Sequence, residues 1–190
     1  MFTHSDPVIT EILNPLNIKK SSVMEFSIGE LAGTGLYRFT KIIEFTIGDK
    51  AYARYLLYSK ADDTEYVFEV FPLNSGQVEA YLYSLTDTVP FSEEFLQVAG
   101  QRYLNTPQGF EYKRCIMPGE EDRIDGVAGS VKIYDIEAGR IEKEYEVQLW
   151  EYVREFEGKT EYLNVEMSED TGMFRIFTGE LVESIFYKVY

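Results

Sequence analysis

Between residues 36 and 83 the chain alternates apolar segments of strand length with short sequences that form tight turns. The hydrophobic period changes to two from Ser22 onward, which is the period of a half-buried β-strand. Gly48-Asp49 and Asn74-Ser75-Gly76 supply residues that adopt turn conformations readily. Because these turns are short, successive strands must run antiparallel. The pattern therefore predicts a meander with strands over 36–47, 52–58, 65–71 and 78–83.

The amino-acid composition also favours strands. The 190 residues include 15 Tyr and 13 Phe, and 45% of the chain is hydrophobic. Aromatic side chains pack well on pleated sheets, and this hydrophobic content argues against disorder. A chain of this length can bury a core without disulfides. We expect a single domain over residues 1–190.

Two short helices are expected beside the sheet. Asp6 can cap an N-terminal helix that has Pro7 at its first position and ends before Pro15. Ser92 can cap a central helix whose first turn is acidic, and Gly100 stands where a left-handed C-terminal cap would lie. Strands resume at about 110–117, and a polar loop is expected over 118–129.

The segment 140–156 fits both a helix and a strand. Its apolar residues recur at helical spacings, but Tyr145, Val147 and Leu149 also alternate with a period of two. On the strand reading the apolar parity changes after Leu149, and a β-bulge at Leu149-Trp150 would account for the change. We favour the bulged strand because a similar hairpin occurs earlier in the chain.

That similarity relates two separate hairpins. Arg54-Tyr55-Leu56, a turn and Thr64-Glu65-Tyr66-Val67 resemble Glu151-Tyr152-Val153, a turn and Thr160-Glu161-Tyr162-Leu163. We predict a pseudo-repeat with halves 22–90 and 110–190. The expected fold is mainly β, an antiparallel barrel or sandwich built from these two weakly repeated halves with two short helices.

The charge balance excludes several partners. The formal net charge is 18 − 33 = −15, and a surface this negative repels nucleic-acid phosphates and anionic lipids. We therefore predict no nucleic-acid partner. No apolar run is long enough to span a bilayer and no signal sequence opens the chain. These features predict a cytoplasmic protein without direct membrane insertion.

Common catalytic and cofactor motifs are missing from the sequence. His4 and Cys115 are the only histidine and cysteine, so neither a zinc site of the usual kind nor a histidine-based triad is expected. The acidic loop 120–126 lacks the ligand spacing of an EF-hand, and no glycine-rich phosphate loop occurs. Cys115 is expected to be a structural thiol. We assign no catalytic, cofactor-binding or metal-binding residue and expect no cofactor.

Paired carboxylates are the one enzymatic option that the composition leaves open. Most of the 33 acidic residues are expected to be solvated, as are Glu142, Glu144 and Glu146 on one face of their strand. Glu151 shares the parity of Leu149, so it is the candidate for a carboxylate inside a barrel, although the bulge expected at Leu149-Trp150 would place it outside.

Aromatic residues near that carboxylate allow two interpretations. Tyr and Trp are favoured at ligand clefts and protein contacts, but they also stabilise sheets by cross-strand packing. We expect core packing for most of this group, which comprises Tyr145, Trp150, Tyr152, Phe156 and Tyr162.

The Leu149-Trp150-Glu151-Tyr152 segment, with Glu161-Tyr162-Leu163 after a turn, resembles the C-terminal hairpin of the YjfK-like bacterial family. Pro15-Leu16 and the segment 22–25 resemble the opening strand of the same family. The resemblance implies a cytoplasmic bacterial protein linked to envelope or stress physiology. It carries no catalytic residue to this chain.

Three functions follow in order of preference. The first is a non-enzymatic module that binds a protein partner. The second is a β-barrel that binds a small-molecule ligand, which predicts a deep cavity with convergent polar groups. The third is a carboxylate-pair hydrolase, which predicts a buried acid with a raised pKa. We lean against an enzyme.

Overall fold

A computed structural model of the protein describes residues 23–26, 35–48, 50–59, 63–73, 78–116, 121–135, 138–183 and 187–189. The chain enters the sheet through β1 (Val23–Phe26) and then forms the predicted meander, β2 (Gly35–Ile47), β3 (Lys50–Ser59), β4 (Thr64–Pro72) and β5 (Val78–Pro90). Each of these strands pairs antiparallel with the next. The four strand predictions are confirmed, and β5 extends beyond its predicted end because it also pairs with a later strand.

The middle of the chain holds the shorter elements. Helix α1 (Glu93–Ala99) is followed by β6 (Tyr103–Asn105) and β7 (Glu111–Arg114). A second meander then runs through β8 (Val127–Asp135), β9 (Arg140–Phe156), β10 (Lys159–Ser168) and β11 (Met173–Leu181), and β12 (Tyr187–Val189) pairs with β1. The predicted loop 118–129 is shorter than expected because β8 already begins at Val127.

Two pairings join the meanders into a closed ring. Phe45 of β2 pairs with Val131 of β8, and Leu85 of β5 pairs with Phe177 of β11. The resulting order around the ring is β2-β3-β4-β5-β11-β10-β9-β8, all antiparallel. Because each of these eight strands has a partner on both sides, the fold is a barrel and not a sandwich.

Both faces of the barrel wall are packed. On the outside of β9–β11, Trp150 and Phe174 lie in a buried cluster together with Ala99 and Leu96 of α1. A second outer cluster includes Tyr55 and Phe68 on β3 and β4, both without exposed surface. Apolar residues also line the inner face, which explains why both parities of several strands are hydrophobic.

The segment 140–156 is one strand, as expected, but the predicted bulge at Leu149-Trp150 is wrong. β9 keeps an unbroken register with β10 from Val147 to Phe156, and its irregularity lies where it pairs with β8, next to Ile133. Leu149 faces the interior while Trp150 packs outside under α1. The change of apolar parity therefore reflects a covered outer face and not a change in the backbone.

The predicted cap of α1 is confirmed at one end only. The backbone N–H of Phe95 donates to Ser92 Oγ at 3.1 Å. Gly100 is not left-handed, since its φ of −84° and ψ of −8° lie in the right-handed helical region. A Cβ at Gly100 would stand 2.5 Å from the carbonyl oxygen of Ile124. The glycine is required here by close backbone approach and not by handedness.

Two further predictions concern helix number and repetition. The predicted N-terminal helix between Asp6 and Pro15 lies outside the described residues, so α1 is the one helix within them. Each predicted half supplies one four-stranded meander, β2–β5 and β8–β11. Tyr66 and Tyr162, which the hairpin similarity matched, nevertheless lie on different faces of the wall. The duplication stays a prediction.

Candidate ligand cavity in the barrel

Three buried charged side chains, Arg54, Glu69 and Glu166, meet inside the barrel, and the partly exposed Arg175 joins them. These four residues are here called the interior ion network. Arg54 Nε lies 2.6 Å from Glu69 Oε2, and Arg54 Nη1 donates to Glu166 Oε1. Arg175 Nη2 lies 3.1 Å from the other oxygen of Glu166. Arg54 is on β3 and Glu166 on β10, which are opposite strands of the ring. A contact between them can form only across the interior.

Burial and ion pairing shift the pKa values of the two glutamates of this network in opposite directions. Glu166 is 1% exposed, and although burial disfavours its charge, Arg54 and Arg175 outweigh that effect and hold its pKa below the usual range. Burial raises the pKa of Glu69, since Arg54 offsets it only in part and Glu166 adds to it. The Arg54 guanidinium also lies 4.1 Å from the ring centroid of Phe45. The network therefore closes the floor of the interior with nearly compensated charge.

Above this floor a cavity of about 400 Å³ occupies one end of the barrel. Its wall includes Ile47 and Lys50, on either side of the β2–β3 turn, so the cavity lies at the end where that turn stands. Ile116, just after β7, contributes to the same end of the barrel. The remaining wall is aromatic and acidic: Tyr52, Glu69, Phe71, Glu79, Tyr81, Tyr83, Cys115, Glu151 and Tyr162.

Glu151 is the carboxylate that the sequence singled out, and the structure places it in this cavity. Its residue surface is partly accessible, but protein atoms enclose most of the carboxyl group. Burial raises the pKa of Glu151 to about 7. The negative charge of Glu69 adds to this rise, the positive charge of Arg54 opposes it, and the more weakly coupled Glu166 adds a smaller part. Within the described residues no side chain donates a hydrogen bond to this carboxylate. Glu151 is thus a partly buried acid to which no described side chain donates a hydrogen bond.

Cys115 lies beside Glu151 at the cavity wall. Its backbone N–H donates to the Glu151 carbonyl oxygen at 2.9 Å, so the main chain holds the two residues together. Burial raises the pKa of the Cys115 thiol to about 12, and the nearby Glu151 charge adds to the rise. A thiol that stays protonated is a poor nucleophile. This agrees with the structural thiol expected from the sequence.

Three tyrosines line the parts of the cavity wall that β5 and β10 supply. The rings of Tyr81 and Tyr162 meet edge to face with centroids 5.0 Å apart, and Tyr81 stacks on Tyr83 at 6.2 Å. The Tyr81 hydroxyl donates to Glu79 Oε2 at 2.8 Å. Burial raises the pKa of Tyr83 well above its ordinary value, and the charges of Glu69 and Glu151 add to the rise. These phenols therefore remain neutral and present aromatic surface to the cavity.

Gly179 makes room for one of these rings, and it provides a test of the wall. It pairs directly with Tyr83 across β5 and β11, and a Cβ there would overlap the Tyr83 ring. Gly179→Ala is expected to lower the free energy of unfolding by about 1–3 kcal/mol, because overpacking forces the ring from its rotamer. Urea denaturation measures the loss, and the aromatic proton shifts of Tyr83 report the displaced ring.

Gly35→Ala is the matched control for this substitution. Gly35 is also a strand glycine without positive φ, but its added Cβ would meet the nearest atom, in the Tyr37 side chain, at 3.7 Å. That is an ordinary van der Waals contact, so stability should stay within about 0.5 kcal/mol of the wild type. Equal effects in the two variants would show that crowding against the Tyr83 ring does not control the stability of the Gly179 variant.

The other candidate residues take up different positions. His4 lies outside the described residues, and Glu121, Asp122 and Asp125 of the predicted acidic loop are exposed. Glu142, Glu144 and Glu146 are exposed on β9, as predicted. Of the five aromatics, Tyr162 lines the cavity, Trp150 and Tyr152 pack under α1, Tyr145 is half-buried and Phe156 is exposed.

Sequence reasoning missed the interior ion network. Arg54 shares the parity of Tyr52 and Leu56, and Glu69 shares that of Val67 and Phe71, so the parity argument that selected Glu151 applies to both. Both residues were overlooked because each strand is apolar on its two faces, which hides the inward parity. No local sequence pattern indicates that Arg54 pairs with Glu166 across the barrel.

Among the described residues no group of three or more His, Cys, Asp or Glu side chains is placed to hold a metal ion. In the same part of the chain, no helix has the length and hydrophobicity needed to cross a membrane.

The structure defines a class: a closed, eight-stranded antiparallel barrel with a mostly apolar inner face, an ion network across its interior and a cavity at one end. No model of a known family matches the chain, and neither a curated protein nor a solved structure matches it. The resemblance to the YjfK-like family therefore stays a prediction.

Proposed function

We propose that this protein binds a small molecule in the barrel cavity. The observation that carries the proposal is a cavity of about 400 Å³ whose wall combines aromatic rings with the partly buried Glu151, to which no described side chain donates a hydrogen bond. Ligand sites are concave, mostly apolar and supplied with few convergent polar groups, and their volumes begin at about 300 Å³. A barrel that served only as a scaffold would gain stability by filling this space.

Blocking the cavity tests the proposal. Ile116 is half-buried at the cavity wall, and Ile116→Trp would fill part of the space. Ile141→Trp is the control, because Ile141 is exposed on β9 and does not line the cavity. We expect a panel of small aromatic amines, alcohols and acids to yield at least one compound that binds the wild type and the control. Affinity should fall about tenfold or more in the blocked variant, which corresponds to about 1.4 kcal/mol.

Ligand-observed NMR and thermal shift measure these affinities. Circular dichroism establishes that both tryptophan variants are folded, so that a loss of binding is not a loss of structure. A wild type that binds nothing in the panel, or a blocked variant that binds as tightly as the wild type, would contradict the proposal.

A second candidate is hydrolysis assisted by Glu151. A general acid works best when its pKa lies near the working pH, and burial raises the pKa of Glu151 to about 7 beside a second carboxyl group, Glu69. Turnover of chromogenic glycosides that is lost in Glu151→Gln, with an activity profile centred near neutral pH, would favour this function. No turnover with any substrate would leave binding as the function.

The protein-interaction module stays a prediction with less structural support. A module of this kind predicts an exposed apolar patch or a long unpaired edge strand. The ring strands are all paired on both sides, and the sheet of the described chain ends in the three-residue strands β6 and β12. Short edges present few unpaired backbone groups to a partner. Recovery of one defined partner from bacterial extract, with a role in envelope or stress physiology, would restore this hypothesis.

A further inference from the structure

We propose that the cavity selects a small organic cation, a protonated amine or a quaternary ammonium group, which the Glu151 carboxylate and the surrounding aromatic rings hold together. This inference rests on the proposed binding function and specifies the chemistry of its ligand.

The distribution of charge around the cavity is the first argument. Three carboxylates, Glu69, Glu79 and Glu151, line it against one ammonium group, that of the exposed Lys50. Arg54 bonds to Glu69 at 2.6 Å and also to Glu166, so Glu69 is compensated within the floor, and Glu79 and Glu151 remain against the single ammonium group of Lys50. The cavity therefore retains negative charge, and a bound anion would add to the repulsion.

Glu151 is the second argument. Its carboxyl group points to the cavity, most of it is enclosed by protein, and no described side chain pairs with it. An ionised carboxylate that is partly buried and has no paired side chain is destabilising, so its retention suggests a role. A cationic ligand supplies the missing counter-ion, whereas a neutral ligand of the same shape leaves the cost in place.

The aromatic wall is the third argument. Ring faces attract cations through their quadrupole, most strongly where water is excluded. Rings at this end of the interior already accept cations, because Lys50 Nζ lies 5.6 Å from the Phe71 centroid and the Arg54 guanidinium lies 4.1 Å from that of Phe45. Tyr81, Tyr83 and Tyr162 also line the cavity and have no charged partner on their faces among the contacts of the described chain.

Cation binding should be linked to pH. A bound cation favours the ionised form of Glu151, so binding releases a proton and tightens as pH rises through about 7. The ionisable groups that interact with Glu151 belong to β3, β4, β5, β10 and the segment after β7: Tyr52, Arg54, Glu69, Tyr83, Glu166 and Cys115. Of these, the tyrosines and Cys115 have raised pKa values, the pKa of Glu166 is lowered and Arg54 stays charged, so none of them titrates near neutrality. Glu69, whose pKa burial raises, is the one group of the six whose protonation shifts in the same direction as that of Glu151.

Three matched probes test the inference by calorimetry on the full chain: benzylamine, the neutral benzyl alcohol and the anionic benzoate. We expect benzylamine to bind at least tenfold more tightly than benzyl alcohol at pH 8, and benzoate not to bind. The preference for benzylamine over benzyl alcohol should diminish at pH 6. Glu151→Gln should remove the advantage without weakening benzyl alcohol, and Glu146→Gln, an exposed acid on the same strand, should change nothing.

The outcomes separate this inference from the proposed function. Equal binding of benzylamine and benzyl alcohol, or an unchanged preference in Glu151→Gln, overturns the cation inference while cavity binding stands. Selective binding of benzoate overturns it as well. If neither these probes nor the wider panel bind, the proposed function fails and the inference fails with it.

Discussion

Arg54→Met is expected to lower the free energy of unfolding by about 3–5 kcal/mol, because removing one partner of a buried ion network leaves uncompensated charge. Arg54 is the group that joins Glu69 on β4 to Glu166 on β10. Methionine fills much of the volume of the arginine side chain, so the loss in the free energy of unfolding arises mainly from the missing charge and not from poorer packing. Urea denaturation at pH 7 measures it.

The pH dependence of this loss has a definite sign. The pKa of Glu166 is held low in the folded state, so its contribution is present above the unfolded pKa and is lost as pH falls through the folded pKa. Without Arg54 the two buried carboxyl groups can be protonated more easily, which removes the orphan charge. The difference in stability between Arg54→Met and the wild type should therefore shrink as the pH is lowered from 7 towards 4.

Lys41→Met is the control for a surface pair. Lys41 Nζ lies 3.6 Å from Glu142 Oε2, and both side chains are exposed. Exposed pairs contribute about 0–1 kcal/mol. Comparable losses in Lys41→Met and Arg54→Met would show that the interior network is as well hydrated as the surface and would contradict its role as the barrel floor.

Glu151→Gln is expected to raise stability, which is unusual for a substitution inside a protein. The folded pKa of about 7 lies above the ordinary value of 4.5. Between these values the folded protein holds more protons than the unfolded chain, so wild-type stability falls as pH rises through this window. Glutamine carries no charge to bury, and the variant should gain about 2–3 kcal/mol over the wild type at pH 8 and little at pH 5.

Denaturation at several pH values measures this gain, and Glu146→Gln serves as the control because Glu146 is exposed on the same strand. A flat difference between Glu151→Gln and the wild type across pH would mean that the carboxylate is hydrated or paired. A gain at high pH would mean that the natural residue is retained at a cost to stability. Such costs concentrate at functional sites.

Local sequence patterns predicted the hairpins and one cavity residue. Turn residues such as Gly48 and the period of two on either side specify strands and their antiparallel pairing without reference to the rest of the chain. Ser92 predicted the start of α1 because a capping hydroxyl acts within one turn. Glu151 was identified because parity along a single strand assigns a side chain to a face.

Predictions were wrong where the role of a residue depends on a contact with a segment distant in sequence. The sequence predicts a left-handed cap at Gly100, but the residue is right-handed, and its lack of a side chain lets the Ile124 backbone approach closely. The bulge at Leu149-Trp150 was inferred from a change of apolar parity that the cover of α1 over Trp150 explains. In both cases the local sequence pattern results from packing against a segment distant in the chain and not from the local backbone conformation.

The sequence by itself determined the strands and the turns, since these follow from neighbouring residues. Only the tertiary structure decided that the sheet closes, because the pairings of β2 with β8 and β5 with β11 join segments far apart in the chain. Closure turns the inward faces toward one another. It thereby brings Arg54 to Glu166 and leaves Glu151 in an enclosed space with aromatic walls, where burial can raise its pKa.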